Sequence, residues 1–277
     1  MKLTANLSLL YTELPMLERF AAAAADGFTA VEIQFPYETP ANELRRALDD
    51  ARLKCVLINV PAGDLMTGGR GLACVPGREA EFETALNLCL DYVKVLKPCC
   101  VNVLAGRAAA QERETALKVL RGNVSKAVEL LAPEGVQVTL EAINTFDMPE
   151  FLISSFNEMK RFTENAGVDI RMQFDIYHMA RMNEPVESLL TSYGADIGHI
   201  QFACGFTEKI ADKHRNIFTP LTQSRGLNSN DIQAVKKVFP EGAGLNELFQ
   251  VLVRGGDDAN VDAYFFRSAD RKKRMSF

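Results

Sequence analysis

Short apolar runs rich in β-branched residues recur along the chain and alternate with segments of helical periodicity. Each run is bounded by polar, glycine or proline residues, as expected of strands buried on both faces. Between them, apolar residues recur every three to four positions, for example Phe82, Leu86, Cys89 and Tyr92, which predicts helices. The predicted strands are 3–10, 30–35, 55–60, 100–106, 136–144, 171–178 and 198–203.

Local signals refine this pattern. Ser155 and Glu158 form a capping box that predicts a helix start, and Pro40 suits the first turn of another helix. A helix is also predicted over 245–253, followed by an eighth strand over 261–266.

This alternation continues without any linker-like composition, which predicts one α/β domain over residues 1–277 with a parallel sheet. Eight strand–helix units in roughly 250 residues are typical of a (βα)8 TIM barrel. A doubly wound open sheet is the alternative architecture. No GxGxxG motif follows the first strand, so we favour the barrel and expect no nucleotide cofactor.

Composition narrows the function classes. A formal net charge of -5 argues against nucleic acid as a partner. The beginning of the chain does not resemble a signal peptide, and no run approaches the roughly 20 apolar residues that cross a bilayer, so we expect a cytoplasmic protein without a membrane partner. The six cysteines form no CxxC pair and fit free thiols in a reducing compartment.

Three predicted strands repeat a polar–apolar–polar pattern: TLE at 139–141, QFD at 173–175 and HIQ at 199–201. Side chains alternate between the two faces of a strand. The polar pairs would therefore point into the barrel and the central apolar residues outward onto the helices. Active sites of this fold lie at the carboxyl ends of the strands, where these triplets fall.

Glu141, Asp175 and Gln201 would converge at that end of the barrel. Two adjacent carboxylates repel each other, and a hard divalent cation with oxygen ligands, Mg²⁺ or Mn²⁺, would relieve that repulsion. The alternative is that the three satisfy one another and nearby basic groups. His178 could hold a substrate hydroxyl or relay a proton, or be a loop histidine bonded to backbone; His199 lies deeper and is expected to be structural.

The segment 61–79 carries five glycines directly after the third strand. A long loop of this kind at a barrel mouth predicts a mobile cover over the site. An ordinary flexible surface loop is the alternative.

Seven stretches of the chain carry a resemblance to known proteins: TANLSLLYTE, EIQFPYE, NVPAGD, RGLACVPGRE, EAIN, QFDIYHMARM and GHIQFA. Together they resemble the hydroxypyruvate isomerase family, within the xylose-isomerase-like TIM barrels. The resemblance covers residues 1–203, and QFDIYHMARM is its most specific motif. It implies a (βα)8 barrel that interconverts hydroxypyruvate and tartronate semialdehyde; relatives that act on 2-oxo-tetronates share much of the pattern.

The resemblance also implies roles for residues. Glu141 falls on the first catalytic acid/base, which is also a metal ligand, and Asp175 and Gln201 fall on the next two ligand positions. His178 falls where related sugar epimerases hold a substrate oxygen.

The resemblance fades after residue 203, and residues 204–277 diverge. The family's eighth strand carries a Gly-Cys-Glu-Tyr motif whose glutamate is the fourth ligand and the second acid/base. Alignment puts Tyr264 at that glutamate, with Asp262 two residues earlier on the same face. The second proton handler that isomerisation requires is therefore unassigned.

Three hypotheses follow. The leading one is an isomerase of a small-molecule hydroxy-oxo acid, monomeric or as a homo-oligomer. The second is a catalytically impaired barrel, whose divergent end reflects either divergence or a reading-frame change after codon 203. The third, a metal-dependent DNA-repair endonuclease, would need several metal-binding histidines and a basic face. Three histidines and a net negative charge disfavour it.

Overall fold

Parallel strands close into a barrel in which neighbours along the chain are neighbours in space. The structure, a computed structural model, describes residues 3–203 and 260–264. The eighth strand pairs with both the seventh and the first, which closes the cylinder. The strands are β1 Leu3–Asn6, β2 Ala30–Glu32, β3 Lys54–Asn59, β4 Cys100–Val103, β5 Gln137–Glu141, β6 Arg171–Asp175, β7 Ile197–Ala203 and β8 Asn260–Tyr264.

Helices follow the strands and pack outside the barrel. One helix follows each of the first five strands, and two shorter helices follow β6. The helices are α1 Met16–Ala25, α2 Ala41–Ala51, α3 Glu79–Leu96, α4 Arg113–Leu131, α5 Phe156–Glu164, α6 Ile176–Arg181 and α7 Val186–Tyr193. The predicted (βα)8 barrel is thereby confirmed, whereas the helix predicted over 245–253 lies outside the described residues.

Every predicted strand run overlaps an observed strand, but several strands end earlier than predicted. The clearest case is β6, which ends at Asp175 rather than continuing to residue 178. The Asp175 side chain accepts hydrogen bonds from the backbone N–H groups of Tyr177 and His178, which caps α6. An N-cap carboxylate starts a helix where apolar content alone suggested more strand.

The capping box at the start of α5 is confirmed. Ser155 Oγ accepts a hydrogen bond from the backbone N–H of Glu158 at 3.3 Å. The Glu158 carboxylate reaches back one residue further than usual, to the N–H of Ser154 at 2.9 Å. Pro40 lies immediately before α2 instead of within its first turn.

The alternation of side chains in β5, β6 and β7 holds as predicted. Leu140 and Phe174 are fully buried in the core between barrel and helices, and the ring of Phe174 packs against Phe156 of α5. Thr139 and Gln173, by contrast, contact each other through a hydrogen bond of 3.2 Å inside the barrel. The polar residues of these strands therefore form a buried layer of their own.

The 61–79 loop is tied to itself and to the core at several points, and its role as a mobile cover stays a prediction. Asp64 Oδ1 accepts hydrogen bonds from the N–H of Gly71 at 2.9 Å and from Arg78 at 3.0 Å, which ties the two ends of the loop together. Its side chains Leu72 and Cys74 are buried. Apolar residues between the glycines thus anchor the loop to the core.

No helix among residues 3–203 combines the length and the apolar character that a membrane span requires.

The outward position of Leu140 makes a stability prediction. We expect Leu140→Ala to lower the free energy of unfolding by about 2–5 kcal/mol, because it leaves a cavity between β5 and the helices. Leu88→Ala on the exposed face of α3 is the matched control, with an expected change within about 0.5 kcal/mol. Denaturant unfolding measures both, and equal losses would contradict the assigned strand orientation.

Candidate active site

Two carboxylates and a histidine meet at the carboxyl end of the barrel. Glu141 is the last residue of β5, Asp175 is the last residue of β6, and His178 lies in α6. One ligand atom from each of the three lies within 4.8 Å of the others. Both carboxylate residues are buried, at 5% and 6% exposed. The strand ladder produces this meeting because adjacent parallel strands end at the same rim.

Each carboxylate has one oxygen held by the protein and one left open. Glu141 Oε2 accepts hydrogen bonds from Asn102 Nδ2 and Gln173 Nε2, both at 3.1 Å. Asp175 Oδ1 accepts the two backbone hydrogen bonds that cap α6. The other oxygens, Glu141 Oε1 and Asp175 Oδ2, lie 3.9 and 4.0 Å from His178 Nε2. Neither of these two open oxygens accepts a hydrogen bond from the described part of the chain.

Electrostatics in this cluster disfavour two negative charges. Burial, followed by repulsion from Asp175 and Glu32, raises the pKa of Glu141 well above its ordinary value, and the two amide donors only partly compensate. Burial also raises the pKa of Asp175, although His178 and the helix-capping N–H groups oppose the change. A bound proton or a bound cation would reduce the electrostatic repulsion between Glu141 and Asp175.

A second polar cluster lies deeper in the barrel around Glu32, which is fully buried. Its carboxylate accepts hydrogen bonds from Asn6 and, at 2.8 and 3.0 Å, from Gln201 Nε2. His199 Nε2 lies 3.1 Å from Glu32 Oε2. Three polar side chains thus contact one carboxylate that has no access to solvent.

Gln173 joins the two clusters. Its Nε2 donates to Glu141 Oε2 at 3.1 Å and to Gln201 Oε1 at 2.9 Å. Gln201 therefore turns its nitrogen toward Glu32 and its oxygen toward the side of the barrel where Glu141 lies. A carbonyl oxygen has two lone pairs, so Gln201 Oε1 retains one for a further partner.

The structure brings Glu141, Asp175 and His178 together. Gln201 does not contact Glu141 directly, because the Gln173 amide lies between them and donates a hydrogen bond to each. Coordination of a metal by Gln201 stays a prediction. His199, expected to be structural, is fully buried beside Glu32.

The candidates for the second acid/base lie in β8. The backbone of Asp262 pairs with Gln201 and that of Tyr264 with Ala203. Asp262 also pairs with Thr4 of β1, which places it between the first and seventh strands. Their catalytic roles stay predictions.

Sequence reasoning missed several polar residues that line the barrel. Asn6, Glu32, Asn59 and Asn102 lie at or near the carboxyl ends of β1 to β4 and are all buried. Each interrupts a predicted apolar run, as Asp175 does in β6. That same signal would have identified them, had it been applied to the first four strands.

A third network supports His178 from outside the barrel. Asn144, fully buried just after β5, places its Nδ2 2.7 Å from His178 Nδ1 and donates to Asp147 Oδ2 at 2.9 Å. Asp147 also accepts a hydrogen bond from the Tyr177 hydroxyl, and Arg181 lies 3.5 Å away. Partial burial alone would raise the pKa of Asp147, but the hydrogen bonds from Tyr177 and Asn144 bring it below its ordinary value.

Comparison with known proteins agrees with this geometry. Residues 20–239 match the model of a family described as xylose isomerase-like TIM barrel. The chain belongs to this family. The match extends beyond residue 203, where the motif resemblance fades.

Relatives in this family confirm the resemblance to hydroxypyruvate isomerases. A 2-oxo-tetronate isomerase of Cupriavidus necator is 40% identical over 204 residues, which are 73% of this chain and 78% of the relative. A hydroxypyruvate isomerase of Escherichia coli is 36% identical over 205 residues, 73% of this chain and 80% of the relative.

Solved structures share the family's barrel. An AP endonuclease, family 2, from Brucella melitensis has a TM-score of 0.78 and 27% identity, covering 96% of this chain and 93% of that one. An L-ribulose 3-epimerase has a TM-score of 0.67 and 17% identity over 97% of this chain and 82% of the other; that likeness shows the fold alone.

The cluster around Glu32 makes a second stability prediction. We expect Glu32→Ala to lower the free energy of unfolding by about 3–5 kcal/mol, because it leaves His199 and two amides buried without their acceptor. Glu129→Ala, on the exposed surface of α4, is the control and should change stability by no more than about 0.5 kcal/mol. Thermal and denaturant unfolding measure the difference; a small effect of Glu32→Ala would contradict the importance of this cluster for folding.

Proposed function

We propose that the protein is an isomerase of small hydroxy-oxo acids that interconverts hydroxypyruvate and tartronate semialdehyde through an enediolate. The observation that carries this proposal is the pair of open oxygens, Glu141 Oε1 and Asp175 Oδ2, beside His178 Nε2 at the barrel mouth. Membership of the family and the isomerase names of the relatives support the same reaction class.

The residues present fit a hard divalent cation such as Mg²⁺ or Mn²⁺. Two buried carboxylates each offer one oxygen that no described residue occupies, and Gln201 Oε1 has a second lone pair. Glu141, Asp175 and Gln201 would hold the ion. When bound, it would supply positive charge that stabilises an oxyanion developing on the substrate.

Glu141 is the proposed acid/base. Isomerisation removes a proton from the carbon that bears the hydroxyl, shifts the hydroxyl proton to the neighbouring carbonyl oxygen, and returns a proton to that neighbouring carbon. The burial that raises the pKa of Glu141 makes its carboxylate a stronger base than an exposed glutamate. We assign His178 to a substrate oxygen, because its Nε2 faces the space between both carboxylates.

The second proton handler is proposed to lie on β8, at Asp262 or Tyr264, since that strand pairs with β7 beside Gln201. Tyrosine is a poor base at its ordinary pKa of about 10. Loss of one acid/base reduces the rate of such a reaction by a factor of about 10² to 10⁴. A catalytically impaired barrel would show that reduction in the unmodified protein.

A four-carbon substrate is the second candidate. The 40% identity to a 2-oxo-tetronate isomerase, beside 36% identity to a hydroxypyruvate isomerase, supports 2-oxo-tetronate as the alternative substrate. Comparison of kcat/KM for hydroxypyruvate and 2-oxo-tetronate decides between them, because both would use the same Glu141 chemistry.

Hydrogen exchange at the substrate carbon tests the acid/base directly. In deuterated water with Mg²⁺ or Mn²⁺, we expect deuterium to enter the substrate, and Glu141→Gln to slow its entry by a factor of about 10² to 10⁴. The exposed Glu129→Gln is the control and should leave the exchange rate unchanged. Absence of exchange in the unmodified protein, with either metal and both substrates, would rule out the proposed reaction.

Metal binding gives a separate prediction. Titration calorimetry should show one Mn²⁺ bound per chain, and we expect Asp175→Asn to weaken binding by about 10-fold or more, because it removes one of two charged ligands. Asp91→Asn, an exposed aspartate of α3, should bind as the unmodified protein does. Equal affinity in Asp175→Asn and in the unmodified protein would exclude Asp175 as a ligand.

A further inference from the structure

We propose that Asn144 is a positioning residue that holds His178 in the tautomer protonated on Nε2, so that this N–H points into the space before Glu141 and Asp175. There it donates a hydrogen bond to an oxygen of the bound hydroxy-oxo acid. The identity of that acceptor rests on the proposed function; the tautomer itself does not.

The orientation of the Asn144 amide is fixed by its own loop. Asn144 Oδ1 accepts hydrogen bonds from the backbone N–H groups of Phe146 at 3.1 Å and Asp147 at 2.9 Å. Exchanging the positions of oxygen and nitrogen would turn an NH₂ group toward two N–H donors. The amide nitrogen therefore faces His178.

The two hydrogens of that nitrogen have two acceptors. One is donated to Asp147 Oδ2 at 2.9 Å, and the other is directed at His178 Nδ1 at 2.7 Å. A primary amide nitrogen donates and does not accept, so His178 Nδ1 has to supply a lone pair. A neutral imidazole carries one N–H, which places the proton of His178 on Nε2.

Asp147 keeps this arrangement in place. It accepts a hydrogen bond from the hydroxyl of Tyr177, the residue before His178, and lies 3.5 Å from Arg181 at the end of α6. The loop after β5 is thereby joined to α6 on both sides of His178. The His178 ring is only partly buried and packs against the ring of Tyr177, with 5.1 Å between the centroids, so the network and this contact together set the orientation of the imidazole.

The fixed proton decides what His178 can do. A histidine nitrogen binds a metal through its lone pair, which Nε2–H lacks. Although His178 lies within reach of an ion held by Glu141 and Asp175, it is therefore a hydrogen-bond donor and not a further ligand.

The distances favour this donor role. At 3.9 and 4.0 Å the N–H is too far from the open carboxylate oxygens for a direct hydrogen bond, which leaves its proton available to a substrate oxygen. A donor placed where negative charge develops stabilises the enediolate more than the substrate.

Nitrogen NMR of ¹⁵N-histidine-labelled protein tests the assignment. The chain has three histidines, and His178→Gln identifies the signal of His178 by its loss. We expect the unmodified protein to show His178 protonated on Nε2 alone. Protonation on Nδ1, or on both nitrogens, would overturn the proposal whether or not any variant folds.

Asn144→Asp supplies the matched change. It keeps an oxygen for the two backbone donors but presents a second oxygen to His178 Nδ1, so we expect the proton of His178 to appear on Nδ1. Asn123→Asp is the control, because Asn123 is also a buried asparagine but donates to Ala73 O at 2.9 Å, away from the histidine. Its His178 signals should remain those of the unmodified protein, and a tautomer unchanged in folded Asn144→Asp would contradict the proposal.

Kinetics separate this inference from the proposed function. We expect folded Asn144→Asp to lose about 10- to 100-fold in kcat/KM, the effect of one hydrogen bond to a charged oxygen. An unmodified protein that shows Nε2–H but turns over neither acid would overturn the proposed function and the substrate acceptor, while the Asn144–His178 assignment would stand. Full activity in a variant whose tautomer has changed would overturn the donor role.

Discussion

Two carboxylates buried side by side determine which polar side chains the interior of this barrel needs around them. Glu141 and Asp175 end adjacent parallel strands, so the ladder places them at the same rim and their charges oppose each other there. Removing carboxylates from water is unfavourable unless donors or positive charge replace the lost solvent. The protein supplies hydrogen-bond donors to one oxygen of each carboxylate and leaves the second oxygen of each open beside His178. The pair therefore has the geometry of a possible cation site.

The amides beneath that pair explain how a third carboxylate is tolerated. Glu32 is fully buried and repels Glu141, yet Gln201 and Gln173 lie between them as a bridge of hydrogen bonds. Because the Gln201 nitrogen is held by Glu32, its oxygen is turned away from that carboxylate. The deep carboxylate of Glu32 thus orients the amide that we propose as a metal ligand. On the outer side, Asn144 acts on His178 in a comparable way, with Asp147 as the anchoring carboxylate.

Much of this arrangement could be predicted from the sequence because the period of a strand is strict. The triplets at 139–141, 173–175 and 199–201 determined which side chains share a face, and neighbouring strands determined which triplets meet. The pattern could not show which carboxylate oxygen accepts each hydrogen bond or which way an amide points. Both depend on differences of a few tenths of an ångström in the distances between side chains on neighbouring strands. The end of β6 was predicted too late because Asp175 was assigned to the strand alone, although it also caps the following helix.

The open oxygens of Glu141 and Asp175 are best tested by a crystal structure of the protein grown with Mn²⁺, with anomalous scattering used to locate the ion. The account predicts a single anomalous peak at the barrel mouth, bonded to Glu141 Oε1 and Asp175 Oδ2 and flanked by Gln201 Oε1, with His178 outside the coordination sphere. A site without a peak, in which the two carboxylates share a proton across a direct hydrogen bond, would contradict it.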